Sequence, residues 1–498
     1  MKLNSRKIVL FFPGLLIILC LCCLEKEQEI TAPADKPPHQ QQIETKQHEN
    51  DPNVIAEIDE YIITKKEFEN RFLTELRPNP YDLRRNLEKP DAEEVLKTII
   101  AEKAMVIEAR KQKLHEDERT REVIRDFKEQ KFVNLLLSNY LKDKLFVTSS
   151  EVEELIKSDP KLEPEQARVK LMRAKSSKIL EKYYNELYQK FHAQKFNENF
   201  SGAAQIHQRL LLYPKEPRRL QFIHSSQISD ELTAEEKNIV LANYDGGKIT
   251  LKDWFDALCD MSPPSRPNDL GTEKGVEKLL DRALKMPIFV AEAELQGFDK
   301  DKNILKQARD YEDQIVFTTV KREKIKDIIG PIAEERTTAY FNENKELFDT
   351  QNTLKIDQFW CRDLKTARKA KDELDEGKEF QKVKQTYSLG GTTEPINTFI
   401  GGEGIFFGEL WKGEPNEIIG PVKGLHSEGV KWRIVKILEK NPGEIPEYSD
   451  DLKRQIEANM LEEQRNSVLK KYQQELLEKY SYEIYTERFR NIDPLDIP

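Results

Sequence analysis

The chain has 498 residues, enough for two to four domains, with 80 basic and 90 acidic residues and a formal net charge of -10. Charged residues make up 34% and hydrophobic residues 38%, and there are only 20 glycines, which favours long solvated helices over a β-barrel or sandwich. Positive and negative residues are interleaved without a basic face, so the composition argues against a nucleic-acid partner.

The N-terminal segment has the pattern of an export signal. Three basic residues among the first seven precede the apolar run Ile8–Leu21, which Pro13 and Gly14 interrupt. Such a run is too short to span a bilayer comfortably. It leads into Cys23, our predicted lipid-attachment site, with Cys22 as second choice. The pattern predicts a lipoprotein signal peptide over residues 1–23; the alternative is a group of cysteines that merely belong to an apolar segment.

The next segment, residues 24–53, is rich in Gln, Glu, Pro and His. It has too few apolar residues to bury, so we predict a disordered tether. Only Cys259 and Cys361 follow, in segments assigned to different domains, so no disulfide is expected. No metal-ligand spacing, nucleophile motif or dinucleotide-binding fingerprint stands out, and we expect no cofactor and no metal.

A strand-turn-helix pattern occurs twice. Residues 54–68 and 240–254 each contain an apolar strand, a tight turn, an Ile-Thr pair and the start of a charged helix. The copies lie 186 positions apart, and Glu108 and Glu292, in similar helical sequences, lie 184 apart. This near-constant offset indicates an internal duplication.

Four further segments follow from this pattern. We assign residues 54–225 and 226–350 to two helical repeats, residues 351–440 to a strand-helix domain and residues 441–498 to a C-terminal helix and tail. One hypothesis is that residues 167–191 are a shortened relic of the strand-helix domain.

The C-terminal helix is predicted over Ser449–Tyr480, where apolar residues recur at spacings of about three to four. A helix this amphipathic needs a partner. We predict that it packs on helices around residues 95–109 and 123–141, so that the two ends of the chain meet. The alternative is a coiled-coil arm that pairs two copies of the protein.

These features resemble the SurA and PrsA family of periplasmic chaperones and prolyl isomerases. The resemblance rests on the strand-turn-Ile-Thr-helix opening, the long helices, and a strand-helix domain entered through AYFNENKELF, residues 339–348. It implies an α+β, mainly α fold. A helical module built from N- and C-terminal segments would hold unfolded proteins, with a parvulin-like domain inserted in it and the C-terminal helix returning to it.

Parvulin domains use two inward histidines and a Cys or Asp, and the resemblance locates these positions. Gln358 and Arg433 stand at the histidine positions and Gly390 at the Cys or Asp position. Loss of all three predicts binding without turnover, because groups that act only on the twisted amide serve catalysis and not peptide binding. The domain's single histidine, His426, is predicted to be exposed in a turn. Five aromatic residues are candidates for a peptide-binding cleft, although each can instead fill the core: Trp360, Phe406, Phe407, Trp411 and Trp432.

The sequence thus predicts an exported, lipid-anchored chaperone of the cell envelope, in the periplasm or at the outer membrane. Its expected partners are unfolded, nascent or secreted envelope proteins, including outer-membrane proteins, and the membrane through its lipid. Two alternatives stay open: an active peptidyl-prolyl isomerase with an atypical site, and a surface lipoprotein that binds a host or matrix partner.

Overall fold

The computed structural model describes residues 51–77, 89–215, 222–348, 352–391, 394–426, 429–490, 492 and 495. The predicted signal peptide with Cys22 and Cys23, and most of the tether, lie outside these residues. Among the helices that the structure describes, none combines the length and the apolar character needed to cross a membrane.

The described chain divides into two compact units. Unit 1 is the continuous stretch 118–312, and unit 2 combines the described residues before that stretch with those after it. Unit 2 opens with β1 (Val54–Ile58), β2 (Tyr61–Thr64), α1 (Lys65–Leu76) and α2 (Ala92–Lys111). Unit 1 follows with α3 (Glu118–Lys142), α4 (Ser149–Ser158), α5 (Pro164–Lys190), β3 (Gln194–Lys195), α6 (Phe200–Leu212), α7 (Ser225–Glu231), α8 (Ala234–Lys237), β4 (Val240–Tyr244), β5 (Gly247–Thr250), α9 (Leu251–Cys259), α10 (Glu273–Ala283) and α11 (Lys285–Leu295).

The long helix α12 (Lys302–Ile325) contains the boundary between the units. The rest of unit 2 consists of α13 (Glu334–Glu343), β6 (Thr353–Cys361), α14 (Leu364–Asp375), α15 (Phe380–Tyr387), β7 (Ile396–Phe399), α16 (Ile400–Glu403), α17 (Phe407–Trp411), β8 (Ile418–His426), β9 (Gly429–Asn441), α18 (Asp450–Lys479), β10 (Tyr482–Ile484) and α19 (Thr486–Arg490).

The predicted duplication is present in the fold. The hairpins β1–β2 and β4–β5 share one register, with Ala56 opposite Ile63 in the first and Ala242 opposite Ile249 in the second. Both hairpins have an irregularity just before that alanine. In both, the threonine that ends the hairpin caps the following helix, as the Ile-Thr pair predicts.

Each hairpin receives its third strand from the other repeat. β10 pairs with β1, which places Ile484 opposite Ala56. β3 pairs with β4, which places Lys195 opposite Ala242. The repeats have therefore exchanged their C-terminal strands, so that each three-stranded sheet combines both copies.

The helices before these strands are exchanged in the same way. α18 packs on α2, where Glu108 Oε2 accepts hydrogen bonds from Lys479 Nζ and from the Tyr480 hydroxyl, each at 2.6 Å. α5 packs on α11, where Lys190 forms the equivalent ion pair with Glu292. The C-terminal helix thus returns to the helical module as predicted, and the mainly α, α+β class is confirmed.

Three sequence predictions need correction here. The second predicted partner of the C-terminal helix, residues 123–141, lies in α3, which belongs to unit 1 and packs on α5 and α11. The predicted boundary near residue 225 falls inside unit 1, because the exchange joins parts of both repeats. Residues 167–191 are no parvulin relic: all but the last lie in the single helix α5, which is the counterpart of α18.

Residues 353–441 form the inserted domain around a four-stranded sheet in the order β7-β6-β9-β8, with antiparallel neighbours. α14 and α15 cover one face, where Phe359 and Ile434 are buried. α17 packs on the other face, where Phe407 and Leu410 lie in one cluster with strand residues. Gly377 has φ of 92° just after α14, which is the helix stop expected of a glycine.

Candidate functional site

The two predicted histidine positions meet on one face of the inserted sheet. In the pairing of β6 with β9, Trp360 stands opposite Arg433, and Gln358 lies two residues before Trp360 on the same face. Arg433 Nη1 donates a hydrogen bond to Gln358 Oε1 at 2.8 Å. The sequence correctly placed these residues together, and the contact shows that they now bind each other.

A buried carboxylate completes this polar cluster. Arg433 Nη2 donates to Glu403 Oε2 at 2.5 Å, and the Thr398 hydroxyl donates to Glu403 Oε1 at 2.7 Å. Arg433 is 1% exposed and Glu403 is 5% exposed. A charge taken out of water needs a partner of opposite sign, and Glu403 provides it. Sequence reasoning missed Glu403; its signal was a single carboxylate inside the glycine-rich stretch 401–404.

The side chain of Arg433 is enclosed by the sheet. Its guanidinium lies over the Trp360 ring, 5.0 Å from the ring centroid, a distance that suits a cation–π contact. A Cβ at Gly424 would come within 2.5 Å of the Arg433 Cζ, so only glycine leaves room there. His426 lies edge-on to Trp360 with centroids 5.1 Å apart, so it is half-buried at the end of β8 and not exposed in a turn.

The third predicted position does not join the cluster. Gly390 lies in an exposed turn with φ of 82°, and a Cβ added there would meet no atom within 4 Å. The turn is attached to the sheet through the Leu389 N–H, which donates to the Trp360 carbonyl at 2.7 Å. No side chain therefore reaches the sheet from the Cys or Asp position.

The five aromatic candidates are spread over several surroundings. Trp360 alone lies beside Arg433 on the polar face. Phe407 is buried and stacks on Trp411 at 5.7 Å within the α17 cluster. Trp432 follows Arg433's opposite face, because neighbouring residues of a strand alternate, and it packs with α14 and α15. Phe406 is buried in the core of unit 2. The structure does not gather these residues into one cleft.

Phe406 shows how the inserted domain is attached. It shares a buried cluster with Val430 of the β8–β9 hairpin and with residues of β1, α2 and α18. The Lys423 Nζ donates to the Leu495 carbonyl at 2.6 Å, which joins the hairpin to the end of the chain. Glu403 precedes Phe406 by three residues, so its ion pair with Arg433 helps to hold Phe406 in the unit 2 core.

A second buried ion pair lies on the opposite face of the same sheet. Asp357 pairs with Lys384 of α15, and Gln381 Nε2 donates to the other Asp357 oxygen at 2.7 Å. Both charged residues are buried. This pair fixes α15 to β6 and lies away from Arg433. Elsewhere in the described ranges, no group of three or more His, Cys, Asp or Glu side chains is placed to hold a metal ion.

Sequence comparison gives a relative among isomerases. No protein-family model matches the chain. The Bacillus subtilis protein YacD, which carries the name of a peptidyl-prolyl cis-trans isomerase, is 23% identical over 242 residues, covering 44% of this chain and 79% of YacD. The chain belongs to the SurA/PrsA-type, parvulin-like family.

Solved structures of this family include two with the following similarity. A SurA-like chaperone of Campylobacter jejuni is 14% identical, with 49% of this chain and 98% of that chain covered and a TM-score of 0.24. PrsA of Bacillus subtilis is 20% identical, with 51% and 100% covered and a TM-score of 0.18.

In this SurA/PrsA-type chain, the helical parts carry exposed apolar side chains. The most exposed is Tyr213 of unit 1, at 77%. Other large apolar residues with more than half of their surface exposed are Phe146, Leu212 and Leu295 in unit 1 and Ile329 and Ile445 in unit 2. An open groove on unit 1 adds Leu162 and Val169, flanked by Lys170 and Arg173. Apolar surface rimmed by charge is typical of protein-binding sites.

Proposed function

We propose that this protein is an exported, lipid-anchored chaperone that binds unfolded or secreted envelope proteins, including outer-membrane proteins, and that its parvulin-like domain has lost isomerase chemistry. The observation that carries the second part is the closed cluster of Arg433, Glu403 and Gln358. These groups satisfy one another and leave no imidazole on the polar face.

The argument against catalysis rests on the barrier. Amide resonance sets a barrier of about 18–20 kcal/mol to prolyl isomerisation. An isomerase must offer polar groups that bind the twisted amide better than the planar one. The buried Arg433 guanidinium is instead held by Glu403, and moving it toward a substrate would leave that carboxylate unpaired in the interior.

Client holding is supported by the helical units and by the relatives. The Campylobacter jejuni structures are described as those of SurA-like chaperones. Both units of this chain expose large apolar side chains, which an unfolded segment can cover. Holding an apolar segment needs no reacting group, so it is compatible with the closed Arg433 cluster.

The test of holding is suppression of aggregation of an unfolded model protein. The variant Phe146→Ser, Leu212→Ser, Tyr213→Ser removes exposed apolar surface and is expected to weaken suppression several-fold without changing the unfolding transition. A control variant, Lys182→Ser with Glu186→Ser, alters an exposed ion pair of α5 and should leave suppression unchanged. Absence of suppression by the parent protein, together with capture of one folded host or matrix protein, would favour the surface-lipoprotein alternative.

Anchoring is tested separately with labelled fatty acid. If Cys23 is acylated, label should enter the parent protein and the Cys22→Ser control, and the protein should partition into detergent. Cys23→Ser should lose the label. An unlabelled, freely soluble mature parent protein would contradict the anchor but not the chaperone activity.

A further inference from the structure

We propose that the two repeats are each other's binding partners, so that a chain cut between residues 215 and 222 remains one particle. Each repeat would be completed by the C-terminal segment of the other. This proposal concerns how the chain is held together, and it does not depend on the proposed function.

Matched strand registers are the first support. Ala56 and Ala242 occupy the same position in the two hairpins, each opposite an isoleucine of its own repeat. On its other side, each alanine faces the strand that ends the other repeat, at Ile484 and Lys195 respectively. A one-residue slip would turn every side chain to the wrong face, so a shared register indicates the same specific junction made twice.

Matched hydrogen bonds on the helices are an independent support. Glu108 and Glu292 are equivalent, and each pairs with the lysine that ends the helix received from the other repeat. In each repeat a glutamine four residues later donates to the second carboxylate oxygen, from Gln112 at 2.9 Å and from Gln296 at 2.8 Å. The same three-residue junction is thus built in both units.

Burial indicates how strongly the halves should bind. In unit 1, Leu187 and Phe200 of the first repeat share a core with Trp254 of the second. In unit 2, Leu476 of the second repeat shares a core with Leu96 of the first. Separating the halves would expose both cores to water, so we expect them to stay associated after the cut.

Paired cysteines distinguish the exchange from repeats that fold on themselves. Directly opposed residues of antiparallel strands have Cβ atoms close enough for a disulfide. Ala56→Cys should therefore link to Ile484→Cys within one chain under mild oxidation, and at least about tenfold less to Lys195→Cys. The reciprocal pair, Ala242→Cys with Lys195→Cys, should link in preference to Ala242→Cys with Ile484→Cys. Peptide mapping identifies the linked residues.

Limited cleavage provides the second measurement. A specific protease site placed between residues 215 and 222 of the full chain should yield fragments that elute together at the mass of the intact chain and separate only in denaturant. Two folded fragments that elute apart at nanomolar concentration would overturn the proposal. Links from position 56 to position 195, or links that join two chains, would overturn it as well.

Discussion

Units 1 and 2 are built on the same hairpin and the same junction of helices, and they differ in what lies between two equivalent helices. In unit 2, the parvulin-like domain separates α13 from α18. In unit 1, only residues 159–163 separate α4 from α5. Since unit 1 forms its core without an inserted domain, the helical module is complete in itself, and the parvulin-like domain is an accessory that one repeat carries.

The junctions also differ in charge. In unit 2, Arg110 of α2 makes an ion pair with Asp313 of α12, both largely buried. In unit 1, the equivalent positions hold Glu294 and Glu129, two residues of like charge. Burial and the nearby carboxylates of Asp126 and Glu294 raise the pKa of Glu129 despite Arg125. Duplication preserved the packing, while the polar contacts diverged.

The largest expected effects come from equivalent aromatic residues of the two cores. Trp254 of unit 1 is fully buried, and its Nε1 donates to the Val276 carbonyl at 3.0 Å. Phe68, its counterpart in unit 2, is also fully buried. We expect Trp254→Ala and Phe68→Ala each to lower the free energy of unfolding by about 3–5 kcal/mol, with Trp254→Ala the larger because a carbonyl also loses its donor.

Hydrogen exchange locates each loss along the chain. Trp254→Ala should reduce protection mainly in residues 118–312, and Phe68→Ala mainly in unit 2. Equal loss throughout the chain for both variants would show that the two units unfold together and would remove the basis of the comparison.

The next effect is confined to the parvulin-like domain. Arg433→Ala leaves the Glu403 carboxylate buried without its cation, and we expect a cost of about 3 kcal/mol, since breaking a buried pair is costly. The double variant Arg433→Met with Glu403→Leu removes both charges and should restore most of this loss. Denaturant unfolding measures both. A single variant as stable as the parent would mean that the pair holds nothing in place.

Helix caps offer a smaller, matched test. Thr250 and Asp253 cap each other reciprocally, whereas Thr64 only accepts a hydrogen bond from the Glu67 N–H. Thr250→Ala should therefore cost about 1 kcal/mol and Thr64→Ala somewhat less. Denaturation midpoints with Thr→Ser controls check the order, and a larger effect at Thr64 would contradict it.

Opposite pH dependence in the two units is the smallest expected effect. Hydrogen bonds from Lys479 and Tyr480 lower the pKa of Glu108 from 4.5 to about 2, so its contribution is present above pH 4.5 and is lost as the pH falls toward 2. The raised pKa of Glu129 acts in the other direction, because protonation relieves a carboxylate that is buried beside like charges. Its stabilisation is present below pH 4.5 and is lost as the pH rises through the folded-state pKa.

Single variants separate these two contributions. Glu108→Gln should flatten the acid limb of unit 2, and Glu129→Gln should stabilise unit 1 at neutral pH. Hydrogen exchange between pH 4 and pH 7 measures both units in one sample. A shift of the same sign in both variants would contradict the assigned roles.

Local pattern predicted much of this molecule, and tertiary choice accounts for what it missed. The Ile-Thr pairs located both hairpins, and the period of residues 449–480 located a helix with a face to bury. Pattern could not tell which repeat covers which, because the two copies present the same register and the same Glu–Lys pair. The exchange therefore depends on the whole chain.

The site shows the same limit at the scale of side chains. Gln358 and Arg433 were correctly placed as neighbours because strand order locates them. Glu403 lies 30 residues from Arg433 along the chain, and no local pattern links the two. Trp432 was predictable: it follows an inward residue in a strand, so alternation places it on the opposite face.

The most direct measurement of the central claim is a proline-peptide isomerisation assay on the protein that suppresses aggregation. We expect the rate to equal the uncatalysed rate, in the parent protein and in Arg433→Ala alike, while suppression persists in both. Acceleration comparable to that of an active parvulin, lost in Arg433→Ala and retained in the Lys182→Ser, Glu186→Ser control, would contradict the claim that the Arg433 cluster has replaced catalysis.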